Sequence, residues 1–106
     1  MKNFSLYNIE LIKGNFYPKV IAYYYREFGE FNMNLHSHNQ VEIMYVLKGK
    51  CLVQTEDSSF QMKNGDFILL DANILHKLVV EKNSPCRMLN VEFIFKEESL
   101  CLSRKM

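Results

Sequence analysis

The stretch HSHNQVE, residues 36 to 42, brings two imidazoles and one carboxylate within seven residues of one another. His36 and His38 are two residues apart, so in a strand their side chains share one face, with Cα atoms about 6.5 to 7 Å apart. Glu42 has the same parity, but on a straight strand it would lie about 13 Å from His38. A shared site therefore requires a bend, and the polar pair Asn39 and Gln40 is where we predict it.

The third histidine, His76, follows the turn residues Asp71, Ala72 and Asn73 and opens an apolar run. Three imidazoles and one carboxylate suit a divalent transition metal: Mn, Fe, Co, Ni, Cu or Zn. The same side chains could instead line a metal-free pocket as hydrogen-bond donors and acceptors. The residue types alone leave both interpretations open.

Further residues are candidates for the walls of such a pocket. Met44 and Val46 share the parity of Glu42 and are predicted to form its apolar side. Tyr24 points away from its tyrosine neighbours, either into the core or as a stacking surface for a ligand. Arg26 and Arg87 could clamp an anionic ligand through paired hydrogen bonds, or they could be solvated charges at strand edges.

The elements that must position these residues are predicted to be strands. Short runs rich in β-branched and aromatic residues end at Gly, Asn or Asp turns about every ten residues, which is typical of an all-β antiparallel barrel or sandwich. Two of the runs flank Gly49 and predict a hairpin there. The runs occupy residues 20–28, 41–49, 50–56, 60–66, 67–71, 76–82 and 87–95.

Length and charge limit the other possibilities. The chain has 106 residues, enough for one domain, with 13 basic and 12 acidic residues and a net charge of +1. It has no basic excess that would indicate direct binding to nucleic acid. Three cysteines without close pairing favour a reducing compartment, and no signal peptide or apolar span is recognisable. We therefore expect a cytoplasmic protein with no membrane partner.

The histidine motifs resemble those of the cupin superfamily. The residues of this chain that correspond to the first cupin motif are Gly29, then after six residues His36-x-His38, after three more Glu42, and after six more Gly49. The resemblance implies a jelly-roll-like antiparallel β-barrel with at most a short helical tail. It also implies that the metal-ligand positions fall on His36, His38, Glu42 and His76.

The second cupin motif is matched less closely. The corresponding residues of this chain are Gly65, then after five residues Asp71-x-Asn73, and after two more His76. Asp71 stands where the family has proline and Asn73 where it has glycine, and Val80 replaces an asparagine. These departures from the second motif count against the enzymatic chemistry of the superfamily.

The segment NGDFILLDANILHKL, together with NVEFIF at the end of the domain, resembles the effector-binding N-terminal domain of AraC-type transcription regulators. That resemblance implies that residues 20–95 bind a small organic effector and that residues 1–19 form an arm or lid. Residues 96–106 would be a tail or the truncated start of following helices. DNA would be bound only through a domain missing from this chain, and a homodimer could form.

A regulatory sensor is the function that the sequence favours. The alternative is a free-standing metal-dependent cupin enzyme of the dioxygenase, isomerase or decarboxylase type. Turnover of a substrate would indicate the enzyme, and binding without turnover would indicate the sensor.

Overall fold

The computed structural model describes residues 5–97 and contains eight strands and one short helix. The only helix in this range has four residues, which confirms the predicted all-β fold class. No helix in the described range has the length and apolar character needed to cross a membrane. The elements are α1 (Glu10–Lys13), β1 (Phe16–Phe28), β2 (Phe31–Asn32), β3 (Val41–Lys48), β4 (Lys50–Thr55), β5 (Ser59–Lys63), β6 (Phe67–Leu70), β7 (His76–Val80) and β8 (Cys86–Glu97).

The strands form two four-stranded antiparallel sheets whose apolar inner faces pack against each other. Sheet I has the order β1-β8-β3-β6, and sheet II has the order β2-β7-β4-β5. Alternate residues of each strand point into the core, as the two-residue period of a strand requires. The core comes from both sheets: Met44, Val46, Cys51, Val53, Met62, Leu70, Leu78, Val80, Cys86 and Met88.

The prediction of a hairpin about Gly49 was wrong. β3 lies in sheet I and β4 in sheet II, so the chain changes sheets at this residue. Only one residue separates the two strands, whereas the tightest common hairpin loops have two. Gly49 has a φ of +93°, and a Cβ at this position would overlap the carbonyl oxygen of Pro85. The glycine therefore marks a corner where two backbone segments meet.

The ends of the barrel extend further along the chain than the predicted runs. β1 begins at Phe16, inside the segment predicted as an arm, and residues 16–20 pair with residues 93–97 of β8. β8 ends at Glu97. The predicted tail beyond that residue lies outside the described part of the chain.

Candidate metal centre

The backbone joins the two segments that carry the histidines. The amide of His36 donates to the carbonyl of His76 at 3.0 Å, and the amide of His76 donates to the carbonyl of His36 at 2.9 Å. Residues directly opposite in an antiparallel pair project side chains to the same face. The two imidazole centroids accordingly lie 4.4 Å apart, although 40 positions separate these residues in sequence.

The predicted bend at Asn39 and Gln40 is present immediately before β3, which begins at Val41. It turns His38 back toward Glu42, so that His38 Nε2 lies 3.1 Å from Glu42 Oε1. The amide of Asn73 donates to the carbonyl of His38 at 2.7 Å and holds the bend in place.

Asn73 also explains one departure from the cupin motif. Its φ is +68°, a left-handed conformation that glycine adopts most easily and that asparagine tolerates better than most residues. The asparagine therefore preserves the backbone turn that positions His76.

Glu42 lies at the centre of the cluster and is only 4% exposed. Its Oε1 lies 3.5 Å from His76 Nε2 in addition to its contact with His38. Its Oε2 accepts a 2.7 Å hydrogen bond from Asn90 Nδ2. One ligand nitrogen from each of His36, His38 and His76 falls within 4.8 Å of the other two. The structure thus brings all four predicted metal ligands to one place.

The hydrogen bonds of the imidazoles determine which nitrogen faces the cluster. In each ring Nδ1 lies close to a backbone carbonyl: 3.2 Å for His36, 3.0 Å for His38 and 2.8 Å for His76. A carbonyl only accepts, so Nδ1 carries the proton and a neutral ring has a free lone pair on Nε2. The Nε2 atoms of His38 and His76 face the Glu42 carboxylate. Because these nitrogens and the carboxylate oxygen are all acceptors, a cation or a shared proton must lie between them. The donor set therefore fits a divalent metal.

The same contacts change the acidity of two groups. Burial would raise the pKa of Glu42, but hydrogen bonds from His76, Asn90 and His38 outweigh it and lower that pKa below its ordinary value. Burial would lower the pKa of His76, but the hydrogen bonds to Glu42 and to the Ile74 carbonyl outweigh it and raise that pKa. Both shifts favour the charged pair when the metal is absent.

A cavity of about 80 Å³ opens beside the cluster. Since one water occupies about 30 Å³ in the liquid, the space holds a few waters or a small organic ligand. Tyr24, Met44 and Val46 were predicted to line the pocket. Tyr24 and Met44 line this cavity, whereas Val46 lies in the hydrophobic core. The lining residues are Tyr24, Arg26, Phe28, Met33, His36, His38, Glu42, Met44, His76, Leu78, Asn90 and Glu92.

Two residues of the site were not predicted from the sequence. Asn90 is 2% exposed and supports Glu42, and its Oδ1 is buried with no hydrogen-bond partner among the described residues. Glu92 accepts a 3.3 Å hydrogen bond from the Tyr24 hydroxyl. Burial and the nearby Glu42 and Glu92 raise the pKa of Tyr24 to about 12. The available signal was a pair of polar residues on the inward face of an otherwise apolar strand.

The two arginines differ in their surroundings. Arg26 lies over the rings of Tyr24 and Phe28, with its Cζ 5.4 and 5.7 Å from the ring centroids, at the edge of the cavity. Arg87 lies away from the cavity, where its Nε is 3.7 Å from Glu27 Oε1. Of the two, only Arg26 lines the cavity beside the histidines.

Asp71 connects the N-terminal segment to the loop that precedes His76. Its carboxylate accepts hydrogen bonds of 2.6 Å from both the Ser5 hydroxyl and the Leu6 amide. The same loop contacts the site twice, through Asn73 to His38 and through the Ile74 carbonyl to His76. The aspartate at the family's proline position thus ties the N-terminal segment to the metal-ligand region.

Several solved structures share this fold. A predicted oxalate decarboxylase from Thermotoga maritima has a TM-score of 0.65 at 22% identity, over 72% of this chain and 68% of that chain. A cupin-like protein from the same organism has a TM-score of 0.62 at 18% identity, over 87% and 84% of the two chains. An ethanolamine utilization protein Q from Salmonella typhimurium has a TM-score of 0.60 at 16% identity, over 74% and 69%.

These likenesses establish the fold alone, since every identity is low. Among curated proteins, none is a significant match by sequence. The family model described as "Cupin domain" matches residues 27–92, which include the three clustered histidines, Glu42 and Glu92. The chain belongs to the cupin domain family.

Proposed function

We propose that this protein is a metal-dependent cupin that acts on a small oxygen-bearing organic molecule. The observation that carries the proposal is the convergence of one ring nitrogen from each of three histidines, two of which have Nε2 within 3.5 Å of the Glu42 carboxylate, while every Nδ1 lies beside a backbone carbonyl. Neutral imidazole and carboxylate ligands leave the identity open among Mn, Fe, Co, Ni, Cu and Zn. His36, His38, Glu42 and His76 would hold the ion.

The residues around the cluster have separate roles in this proposal. A bound metal ion would polarise a substrate oxygen or activate water. Asn90 fixes the orientation of Glu42 through its 2.7 Å hydrogen bond. Tyr24, with its raised pKa, stays protonated at neutral pH, and its oxygen can accept a hydrogen bond from a ligand in the cavity while its O–H donates to Glu92. Glu92 accepts a hydrogen bond from the Tyr24 hydroxyl and, as a carboxylate that lines the cavity, is a candidate general base.

Elemental analysis of the purified full chain tests the metal. We expect about one transition-metal ion per chain in the wild type and in the control Glu56→Gln, which alters an exposed acid outside the site. His36→Ala and His76→Ala should each lose the ion, with circular dichroism used to check that they fold. A wild type that takes up no metal after incubation with Mn, Fe, Ni and Zn would overturn the proposal.

A second candidate function is the sensor domain of an AraC-type regulator, and the contacts of Asp71 favour it. A sensor requires a ligand that binds two states of the protein with different affinity. The loop at residues 71–74 joins the N-terminal segment at one end and both His38 and His76 at the other. Occupation of the site would then be communicated to the N-terminal segment at Ser5 and Leu6.

Hydrogen exchange at the Leu6 amide, which donates to Asp71, separates the two candidates. A sensor predicts that adding the metal, alone or with a screened small acid or sugar, changes exchange at Leu6 in the wild type. Asp71→Ala should exchange fast at Leu6 whether or not metal is present, while the exposed Asp57→Ala should behave as wild type. Turnover of the screened compound with no change at Leu6 would instead support the enzyme.

A further inference from the structure

The two carboxylates of the cavity lie directly opposite each other on neighbouring strands. In the register of β3 against β8, Glu42 is paired with Glu92. Residues paired in this way project their side chains to the same face, and like charges in such a pair destabilise a sheet. Glu42 is buried, so water screens its charge poorly. A cation bound beside this pair would therefore relieve a repulsion that the fold builds in.

The arginine of the cavity is not placed to relieve this repulsion. Arg26 is exposed, and its Cζ lies 5.4 Å from the centroid of the Tyr24 ring and 5.7 Å from that of Phe28. Within the part of the chain that the structure describes, no ion pair joins Arg26 to Glu42 or to Glu92. The compensating charge must then come from the cluster of imidazoles or from a bound ion.

Glu92 forms a second possible ligand triad with two of the proposed metal ligands. One ligand atom from each of His38, Glu42 and Glu92 lies within 4.8 Å of the other two. His38 and Glu42 also belong to the set of four proposed ligands, so an ion bound to them lies beside Glu92. Glu92 itself is in β8, which follows both histidine motifs in the sequence.

The surroundings of Glu92 leave oxygen atoms available to an ion. Its Oε2 accepts a 3.3 Å hydrogen bond from the Tyr24 hydroxyl, whereas its Oε1 accepts none from a described residue. Asn90 lies two positions earlier on the same face, and its buried Oδ1 also has no partner among the described residues. A buried acceptor without a partner costs free energy. An ion with its coordinated water offers both oxygens what the protein does not.

We propose that Glu92 is a fifth protein ligand of the metal and that it favours six-coordinate ions such as Mn²⁺ relative to Zn²⁺. This inference rests on the proposed function, because it requires that the four clustered residues hold an ion. Three imidazoles and the Glu42 carboxylate already fill the four positions of a tetrahedral Zn²⁺. Mn²⁺ prefers octahedral sites with carboxylate oxygens. A second carboxylate therefore adds more to the binding of Mn²⁺ than to that of Zn²⁺.

The charge of the site supports a ligand role for Glu92. A divalent ion held by neutral imidazoles and by Glu42 alone keeps one uncompensated positive charge. The Glu92 carboxylate makes the complex neutral, and a neutral complex costs less free energy to bury than a charged one. Glu92 would act as a general base only when a substrate has taken its place at the ion.

Isothermal titration of the metal-free full chain with Mn²⁺ and with Zn²⁺ tests the selectivity. Glu92→Gln removes the charge and keeps a hydrogen-bond acceptor for Tyr24. We expect its Kd for Mn²⁺ to rise at least about tenfold and its Kd for Zn²⁺ by no more than about threefold. The control is Glu97→Gln, at the exposed end of the same strand, which should bind both ions as the wild type does.

Water-proton relaxation by bound Mn²⁺ is a readout that a change of charge alone would not move. Glu92→Leu has no ligand atom, so one more water should reach the ion and the relaxation rate per bound Mn²⁺ should increase. Glu97→Gln should give the wild-type rate.

Two results would show that Glu92 is not a ligand. One is a pair of affinities that are unchanged, or that fall by the same factor for Mn²⁺ and Zn²⁺, in Glu92→Gln. The other is an unchanged relaxation rate in Glu92→Leu. A wild type that binds neither ion would instead refute the proposed function, so the two failures are distinguishable.

Discussion

Glu42 is the residue on which the site depends, because its two oxygens divide the contacts between the imidazoles and Asn90. Its carboxylate is almost fully buried, and a buried charge is tolerated only when it is paired or hydrogen-bonded. In the metal-free protein this pairing comes from the Asn90 amide and from a proton on His76. The site therefore responds to pH in two opposite ways.

The metal-free protein should be most stable between about pH 4.5 and 6.5. The lowered pKa of Glu42 contributes stability above the ordinary value of about 4.3, and this is lost as pH falls. The raised pKa of His76 contributes stability below about 6.5, and this is lost as pH rises through the folded-state value. Urea unfolding in the presence of a chelator, from pH 3 to 9, measures both limbs.

Glu42→Gln is the matched control for this pH dependence, since it removes the carboxylate and keeps the shape of the side chain. The free energy of unfolding of Glu42→Gln should vary much less with pH, both below about pH 4.5 and above about pH 6.5. A wild type whose free energy of unfolding stays constant or increases from pH 6.5 to 9 would contradict the assignment of His76.

Asn90 should act as a positioning residue for the metal. Asn90→Leu removes the donor to Glu42 Oε2 and keeps a similar volume, and the loss of such a supporting contact typically weakens metal affinity by about 10- to 100-fold. Isothermal titration with Zn or Mn measures the change. Asn32→Leu, at an exposed position of β2, serves as the control and should bind as wild type. Equal affinity in Asn90→Leu would show that Glu42 needs no support.

Spacing and strand parity, which are local properties, predicted that His36 and His38 share a face. The resemblance to the cupin motifs supplied Glu42 and His76. The bend at Asn39 and Gln40 also followed from local chemistry. Asn90 and Glu92 could not be predicted in the same way. Their place in the cavity depends on the register of β8 against β1 and β3, which no short stretch encodes.

At the level of elements, turn residues identified the strands well and their partners poorly. Gly49 carried an ordinary hairpin signal, yet the strands on either side belong to different sheets. The deciding fact is the approach of Pro85, a residue 36 positions away. A local turn signal says where a strand ends, whereas pairing depends on which distant segment buries each face.

Gly49→Ala should destabilise the fold by at least about 3 kcal/mol, at the upper end of ordinary single substitutions. The new Cβ would meet the Pro85 carbonyl, and the backbone there has a φ of +93°. The control is Gly29→Ala, where an added Cβ meets nothing within 4 Å. Urea unfolding compares the two variants. A Gly49→Ala protein as stable as the Gly29→Ala protein would contradict the described corner.

For the molecule as a whole, the metal should contribute global stability because its ligands come from both sheets. Free metal at 100 times its Kd adds about 2.7 kcal/mol. For a domain of this size, 1 kcal/mol shifts the Tm by about 4 to 8 °C, so chelation should lower the Tm by on the order of 10 to 20 °C. Scanning calorimetry measures the shift, and His36→Ala should show none. An unchanged Tm in the wild type would mean that no metal is held.

The backbone bridge between His36 and His76 also bears on protein synthesis. A ribosome releases the chain from its N-terminus, so HSHNQVE emerges well before His76, and Asn90 emerges later still. The bridge that brings the first and last histidines together cannot form until both segments are outside the exit tunnel. The nascent chain therefore exposes His36, His38 and Glu42 without their fourth partner until His76 has left the tunnel.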